Sequence, residues 1–162
     1  MSLTVNHLYA ALYRRHDERY HWALITATSA TEGVKSHATN IPNPADWHYV
    51  SEPFNVATEW KPLVILASLG ELPADVTAAT LQERFARIPM QTPECDQPHP
   101  FTCRIWFRAA VKALEGVVPC ANFVDALERE LVSLADDHAT LVGLGRPWKL
   151  YAEVSHPNAW TV

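Results

Sequence analysis

The hydrophobic pattern of the chain changes its period at about residue 70, and this change limits the fold to a sheet followed by helices. Before that point, apolar and β-leaning segments are separated by turn signals, which is typical of strands. After it, apolar residues recur at the spacing of amphipathic helices. The predicted strands are residues 3–13, 20–28, 33–41, 46–54 and 62–69, and the predicted helices are residues 75–88, 102–115 and 121–134.

Turn and breaker residues show where these segments end and which of them pair. A turn-like Ser-Ala-Thr-Glu sequence joins segments 20–28 and 33–41, which predicts an antiparallel hairpin. Gly116 is a natural stop for the second helix. We therefore expect an α+β fold in one domain, with the sheet packed against about three helices. Its expected parts are a sheet over 1–70, helices over 75–135, and a tail over 136–162 that is irregular or holds a late edge strand.

Composition and charge limit which partners the protein can bind and in which compartment it is expected. The 162 residues are 48% hydrophobic and include six tryptophans, enough for one packed core. A net charge of −5, with no local cluster of basic residues to offset it, argues against nucleic acid as a partner. No segment approaches the roughly 20 apolar residues of a membrane span, and the start lacks the pattern of a signal peptide. We expect a soluble, cytoplasmic protein.

The three cysteines, Cys95, Cys103 and Cys120, are few and odd in number. This count disfavours a disulfide framework, and the chain has no Cys-x-x-Cys pair of the kind that anchors zinc. At least one thiol is therefore expected to be free.

Cys103 is the first candidate for chemistry because of its predicted place in the second helix. Thr102 is a suitable N-cap, so Cys103 falls in the first turn. There the helix dipole and the free backbone N–H groups favour a thiolate. The same position also suits a structural cysteine that faces the core, and the sequence leaves both interpretations open.

His21 and His37 are the candidates for a base and for a group that orients it. His21 shares a strand face with Ala23 and Ile25. A hairpin whose paired residue numbers sum to about 58–60 places His37 opposite or diagonal to His21 on that face. Imidazole titrates near neutral pH and can accept a thiol proton. The alternative is that either histidine is a strand residue bound to loop backbone.

Two further interpretations concern metal and pocket walls. His21, His37 and Cys103 could hold zinc with one position open to water, but no short-spaced ligand pair supports this, so we expect no metal and no cofactor. Trp22 and Trp106 could wall a substrate pocket, although both also fit the core pattern.

These residues carry a resemblance to a known family. The segment His21 to Ile25, the second histidine His37, and Cys103 with Trp106 resemble the lecithin retinol acyltransferase and H-rev-like acyltransferase group. In that permuted papain-like fold the histidine strands precede the cysteine helix. The chain is also similar to small fungal proteins with a Tyr-His-Trp-Ala-Leu strand and a Cys-x-x-Trp helix. The resemblance to the acyltransferase group implies a circularly permuted papain-like fold with a cysteine–histidine site.

Together these features predict a cysteine-dependent hydrolase or acyltransferase. His21 would deprotonate Cys103, the thiolate would attack an ester, thioester or amide carbonyl, and His37 would orient the His21 ring. This requires the Cys103 sulfur to lie within about 4 Å of a His21 ring nitrogen. The alternative is a non-catalytic module on the same fold that binds a small molecule or a protein. The sequence leaves open the identity of a small-molecule or peptide substrate, and the oligomeric state.

Overall fold

The computed structural model describes residues 1–17, 19–59 and 62–155, and in this part of the chain helices pack on one face of a six-stranded sheet. This is the expected α+β fold class. The strands are β1 (His7–Arg14), β2 (Tyr20–Ala27), β3 (Glu32–Thr39), β4 (His48–Asn55), β5 (Leu63–Glu71) and β6 (Lys149–Tyr151). The helices are α1 (Ala78–Ala86), α2 (Cys103–Lys112) and α3 (Val124–Gly143), with 3₁₀ turns at Glu94–Asp96 and Pro119–Phe123.

The sheet runs in the order β4-β3-β2-β1-β5-β6. All neighbouring strands are antiparallel except β5 and β6, which are parallel. In the β2–β3 hairpin Leu24 pairs with Ser36 and Thr26 with Val34, which is the register that the sequence predicts. β1 begins at His7, later than predicted, after Asn6 takes a left-handed backbone conformation with φ of 64°.

Both faces of β2 are buried, but in different cores. Trp22 and Leu24 lie on the side covered by the helices, and we call this side the helical face. Ala23 and Ile25 lie on the opposite side, the distal face, in a second apolar cluster with Tyr9 and other residues. The alternation of side chains along a strand produces this division.

Helix α2 is the main element packed on the helical face. The Thr102 side chain caps it by accepting a hydrogen bond from the Ile105 N–H at 3.4 Å. The Trp22 ring centroid lies 5.0 Å from that of Phe107 on α2. Apolar residues recur on one side of α2, and that side packs against the sheet. The Thr102 cap sets the residue at which the helix begins.

The C-terminal part of the chain is more ordered than the sequence predicts. Residues 136–143 belong to α3, so the prediction that the tail begins at 136 is wrong, whereas 149–151 form β6, an edge strand of the kind that the sequence left open for the tail. The polar run Asp136-Asp137-His138 hides the continuation of the helix, although Ala139 and Val142 beyond it pack against the core. Residues 156–162 of the predicted tail lie outside the described residues.

Across the described ranges, no helix has both the length and the hydrophobicity needed to cross a membrane.

Candidate functional site

A cleft of about 430 Å³ opens beside the start of α2. Its walls come from the segment between β1 and β2, from β2 itself, from the loop that precedes α2, and from α3. The less polar part of the lining consists of Tyr20, Trp22, Pro100 and Val132. Its charged or titratable part consists of Arg15, Arg19, His99, Arg104, Glu128 and Asp136.

The two acidic residues of this cleft already have partners. Glu128 accepts a hydrogen bond from Nε of Arg104, and Asp136 accepts one from the Tyr20 hydroxyl at 2.6 Å. Both carboxylates lie on α3, so these bonds also hold α3 against α2 and β2.

Arg15 and Arg19, which we call the arginine pair, share one surface carboxylate at the cleft. Arg19 Nη2 lies 2.7 Å from Asp17 Oδ2, and Arg15 Nε lies 3.6 Å from Asp17 Oδ1. Their side chains are 44% (Arg15) and 75% (Arg19) exposed. Among the described residues, Asp17 is the carboxylate that both guanidinium groups contact.

Cys103 also lines the cleft, but its thiol is buried. The residue is 1% exposed, and its sulfur contacts the Tyr20 carbonyl oxygen at 3.9 Å. Burial raises the pKa of the Cys103 thiol above its ordinary value, and this outweighs the Trp22 and Arg104 backbone N–H groups and the Arg15 charge, which favour the thiolate. The thiol is therefore protonated at neutral pH.

His21 and His37 form a hydrogen-bonded chain with Glu52 on the distal face. His21 Nε2 lies 2.9 Å from His37 Nδ1, and His37 Nε2 lies 3.2 Å from Glu52 Oε1. If His37 donates its Nε2–H to the carboxylate, its Nδ1 accepts from His21 Nε2–H, which assigns both neutral tautomers. Lys35 completes the chain, with Nζ 3.0 Å from Glu52 Oε1 and 3.2 Å from Glu59 Oε1.

Burial also controls the titration of these histidines. Burial, with a smaller contribution from the neighbouring His37, lowers the pKa of His21 to about 3. Burial lowers the pKa of His37 too, and the Glu52 carboxylate partly offsets the effect. Both rings are therefore neutral at physiological pH.

The structure brings His21 to His37 but does not bring either of them to Cys103. His21 pairs with Tyr13 of the distal cluster, whereas Cys103 belongs to the core of the helical face together with Trp22. The backbone of β2 lies between the thiol and the imidazole. The predicted contact between Cys103 and His21 is therefore wrong, because the alternation of β2 turns Trp22 toward α2 and His21 away from it. The same division places Cys103 on the opposite side of the sheet from His21 and His37, so the three ligands of the alternative zinc site do not come together.

The two predicted pocket tryptophans have different surroundings. Trp22 lines the cleft and packs on Phe107. Trp106 is fully buried, with its ring centroid 5.9 Å from that of Tyr49 and 5.7 Å from that of Phe85. Trp106 is thus a core residue, which is the alternative that the sequence left open.

The sequence does not predict the basic side of the cleft. Its basic residues form no local cluster along the chain, whereas the fold gathers the arginine pair and Arg104 around one opening. The available signal was the run Arg14-Arg15 followed by Arg19 in the turn between the first two strands. Such a turn gathers its charges at one end of the sheet.

A buried arginine holds the walls of the cleft together. Arg108 of α2 is 8% exposed and binds Asp96 Oδ1 through Nε at 3.1 Å and Nη2 at 2.8 Å. It also binds Asp125 and Glu128 at the start of α3. The loop before α2 and the helix α3 are therefore both tied to α2, on either side of the cleft.

The fold and the cleft define an α+β protein with an open, ligand-sized cleft beside a helix N-terminus. The chain belongs to a family of unknown function, DUF6914, whose model matches residues 6–128. The matched part includes β1 to β5, α2, and the cleft residues from Arg15 to Glu128. Searches of curated proteins and of solved structures found no match to the chain.

Proposed function

We propose that the protein binds a small anionic molecule in the cleft at the start of α2. The observation that carries this proposal is the arginine pair, which shares the single carboxylate of Asp17 beside the N-terminus of that helix. A helix N-terminus attracts anions through its dipole and its free N–H groups. Arginine adds a planar set of donors that matches a carboxylate or a phosphate.

The size and the walls of the cleft support a ligand with an organic part as well as a charge. Its volume of about 430 Å³ lies within the range of small-molecule sites, about 300–1,000 Å³. Trp22, Tyr20 and Val132 offer apolar and aromatic surface for that part. Glu128 is paired with Arg104, and Asp136 accepts a hydrogen bond from the Tyr20 hydroxyl, so the arginine pair supplies the guanidinium donors available to an anion.

Two observations favour binding over catalysis. The Cys103 thiol is 1% exposed with a raised pKa, and the histidine predicted as its base lies on the distal face. A thiol that is buried and protonated is a poor nucleophile. The binding module, which was the alternative interpretation of the sequence, fits this geometry better than the hydrolase does.

The proposal is tested by screening carboxylates and phosphate esters for thermal stabilisation, followed by calorimetry on those that stabilise the protein. The double variant Arg15→Gln/Arg19→Gln should weaken the Kd of the best anionic compound by about tenfold or more, or about 1.4 kcal/mol. The double variant Arg84→Gln/Arg87→Gln removes the same two charges at the exposed end of α1 and should leave Kd unchanged. If no anionic compound binds, or if the double variant binds equally well, the proposal is wrong.

The second candidate is thiol chemistry at Cys103, and a specific observation favours it. The Trp22 and Arg104 N–H groups and the Arg15 guanidinium all act on the sulfur in the direction of a thiolate. The resemblance to the permuted papain-like group implies the same class, a cysteine-dependent hydrolase or acyltransferase. With His21 on the distal face, His99 is the histidine that lines the cleft, and in this candidate it takes the thiol proton.

This candidate is tested by incubating the protein with ester, thioester and amide reporters and measuring covalent adducts by mass. Attack of the thiolate on the carbonyl expels the leaving group and leaves an acyl group on Cys103. The adduct should be absent in Cys103→Ala and present in Cys120→Ala, which alters another buried thiol with a similar carbonyl contact. Failure of every reporter to acylate Cys103 rejects this candidate and does not affect the test of anion binding.

A further inference from the structure

Cys95 and Lys112 form a close sulfur–nitrogen contact away from the cysteine of the cleft. Lys112 Nζ lies 3.3 Å from Cys95 Sγ. Cys95 is exposed, whereas Cys103 and Cys120 are 1% and 2% exposed. A soluble oxidant therefore reaches Cys95 before it reaches the other two thiols.

Both partners are fixed by the fold. Cys95 lies in the 3₁₀ turn Glu94–Asp96, and its neighbour Asp96 is held by the buried Arg108 of α2. Lys112 lies in the last turn of the same helix, with Nζ 3.8 Å from Asp96 Oδ2. That oxygen is buried and has no hydrogen-bond partner within the described ranges, and the ammonium group lies within ion-pair distance of it. The turn and the helix thus hold the thiol and the amine next to each other.

We propose that Cys95 and Lys112 are a site of oxidative crosslinking, with a peroxide as the oxidant. In the first step the Cys95 thiol reduces one peroxide, which gives a sulfenic acid and, for hydrogen peroxide, one water. In the second step the Lys112 ammonium loses a proton to solvent, and its nitrogen attacks the sulfenic sulfur. A sulfur–nitrogen bond forms and hydroxide leaves, which the released proton converts to water. The nitrogen then gives a second proton to solvent, which leaves a neutral sulfenamide.

The crosslink acts on the wall of the cleft. It joins the 3₁₀ turn to the end of α2, and the loop that continues from this turn carries His99 and Pro100 of the cleft lining. Oxidation would therefore fix the loop against α2 by a covalent bond in addition to the ion pairs of Arg108. This proposal does not depend on the proposed function.

The test treats the full chain with hydrogen peroxide and examines its peptides by mass spectrometry with and without a thiol reductant. We expect the Cys95 and Lys112 peptides joined, with a mass two hydrogen atoms below their sum, and separated again by the reductant. Lys112→Arg keeps a positive charge beside Asp96 but has no amine to condense. In that variant we expect only the sulfenic acid at Cys95, trapped by a 1,3-diketone.

Circular dichroism of the untreated proteins shows whether Lys112→Arg keeps the fold, and Cys95→Ser supplies a second variant that cannot form the bond. The proposal is overturned if folded wild-type protein gives as much trapped sulfenic acid as Lys112→Arg and no joined peptides. It is also overturned if peroxide oxidises a buried cysteine while Cys95 stays reduced.

Discussion

His21 and His37 share a hydrogen bond across the distal face of the sheet, with 2.9 Å between Nε2 of the first ring and Nδ1 of the second. Glu52 lies at the other end of the His37 ring, so the two neutral imidazoles connect a carboxylate to the interior of the sheet. Protonation of His21 at Nδ1 would leave the bond to His37 in place but would put a positive charge at a buried site, where it loses its hydration. Its protonation therefore affects the stability of the fold.

Stability should fall as the pH drops from about 6.5 toward about 3, because burial holds the pKa of His21 at about 3. In this window the unfolded chain binds a proton at residue 21 and the folded chain does not, so a lower pH stabilises the unfolded state relative to the folded state. The expected slope from His21 is up to about 1.4 kcal/mol per pH unit. Urea unfolding at pH 7, 6 and 5 measures this slope together with that of His37, whose pKa is also lowered. The pH values lie above the range in which Glu52 titrates, because the pKa of Glu52 is below its ordinary value.

The matched variants for this measurement are His21→Gln and His16→Gln. The first should be less stable at pH 7 but lose less stability on acidification, since Gln does not titrate. The second alters an exposed histidine in the turn between β1 and β2 and should follow the wild-type slope. Equal slopes in wild type and His21→Gln would show that the His21 ring does not govern the response to acid.

Replacing Arg108 by Leu should destabilise the protein by about 3–5 kcal/mol, because it leaves the carboxylate of Asp96 buried without its partner. Asp125 binds the same arginine, but its side chain is 74% exposed. Asp125→Asn should therefore cost no more than about 1 kcal/mol. Chemical denaturation measures the free energy of unfolding of both variants. Equal losses in the two variants would contradict the expected ranking.

Trp106→Ala should cost about 3–5 kcal/mol, since the residue is fully buried against Tyr49 and Phe85. Trp106→Phe should cost clearly less, because Phe keeps most of the apolar contact and removes an indole N–H that has no partner among the described residues. Trp148→Ala, at a half-buried position on the distal cluster, is the control and should cost less than Trp106→Ala. Thermal and urea unfolding measure all three.

Thr102→Ala should lower stability by about 1 kcal/mol through loss of the N-cap bond to the Ile105 N–H. Thr102→Ser retains the hydroxyl and should recover most of that loss. Urea unfolding distinguishes the two. If Ala and Ser behave alike, the cap hydroxyl does not contribute to the stability of α2.

The sequence predicts the β2–β3 register, and with it the approach of His21 to His37, because a hairpin with a short turn has few possible registers. It does not predict which side of β2 the helices cover. Both sides of β2 are apolar, with Trp22 and Leu24 on one side and Ala23 and Ile25 on the other. The alternation of side chains along the strand therefore separates the two faces but does not show which of them α2 covers. The missed cleft has the same origin, since Arg15 becomes a cleft residue only once β2 presents Trp22 to the helix.

Arg108 shows a second limit of prediction from the sequence. An arginine at helical spacing from Arg104 and Lys112 has the pattern of a solvated face. It is buried because Asp96, Asp125 and Glu128 converge on it from a loop and from α3. These carboxylates lie 12, 17 and 20 residues from Arg108 along the chain, which leaves no local signal for the burial of the arginine.

The placement of β6 has a consequence for how the chain matures during synthesis. β1 is made first and lies in the interior of the sheet, whereas β6 pairs with β5 only after α3 has been completed. Until residues 149–151 leave the ribosome, β5 is an unpaired edge with the apolar sequence Leu-Val-Ile-Leu-Ala. Such edges template the addition of strands from other chains. A nascent chain halted in α3 would therefore depend on chaperones more than the finished protein does.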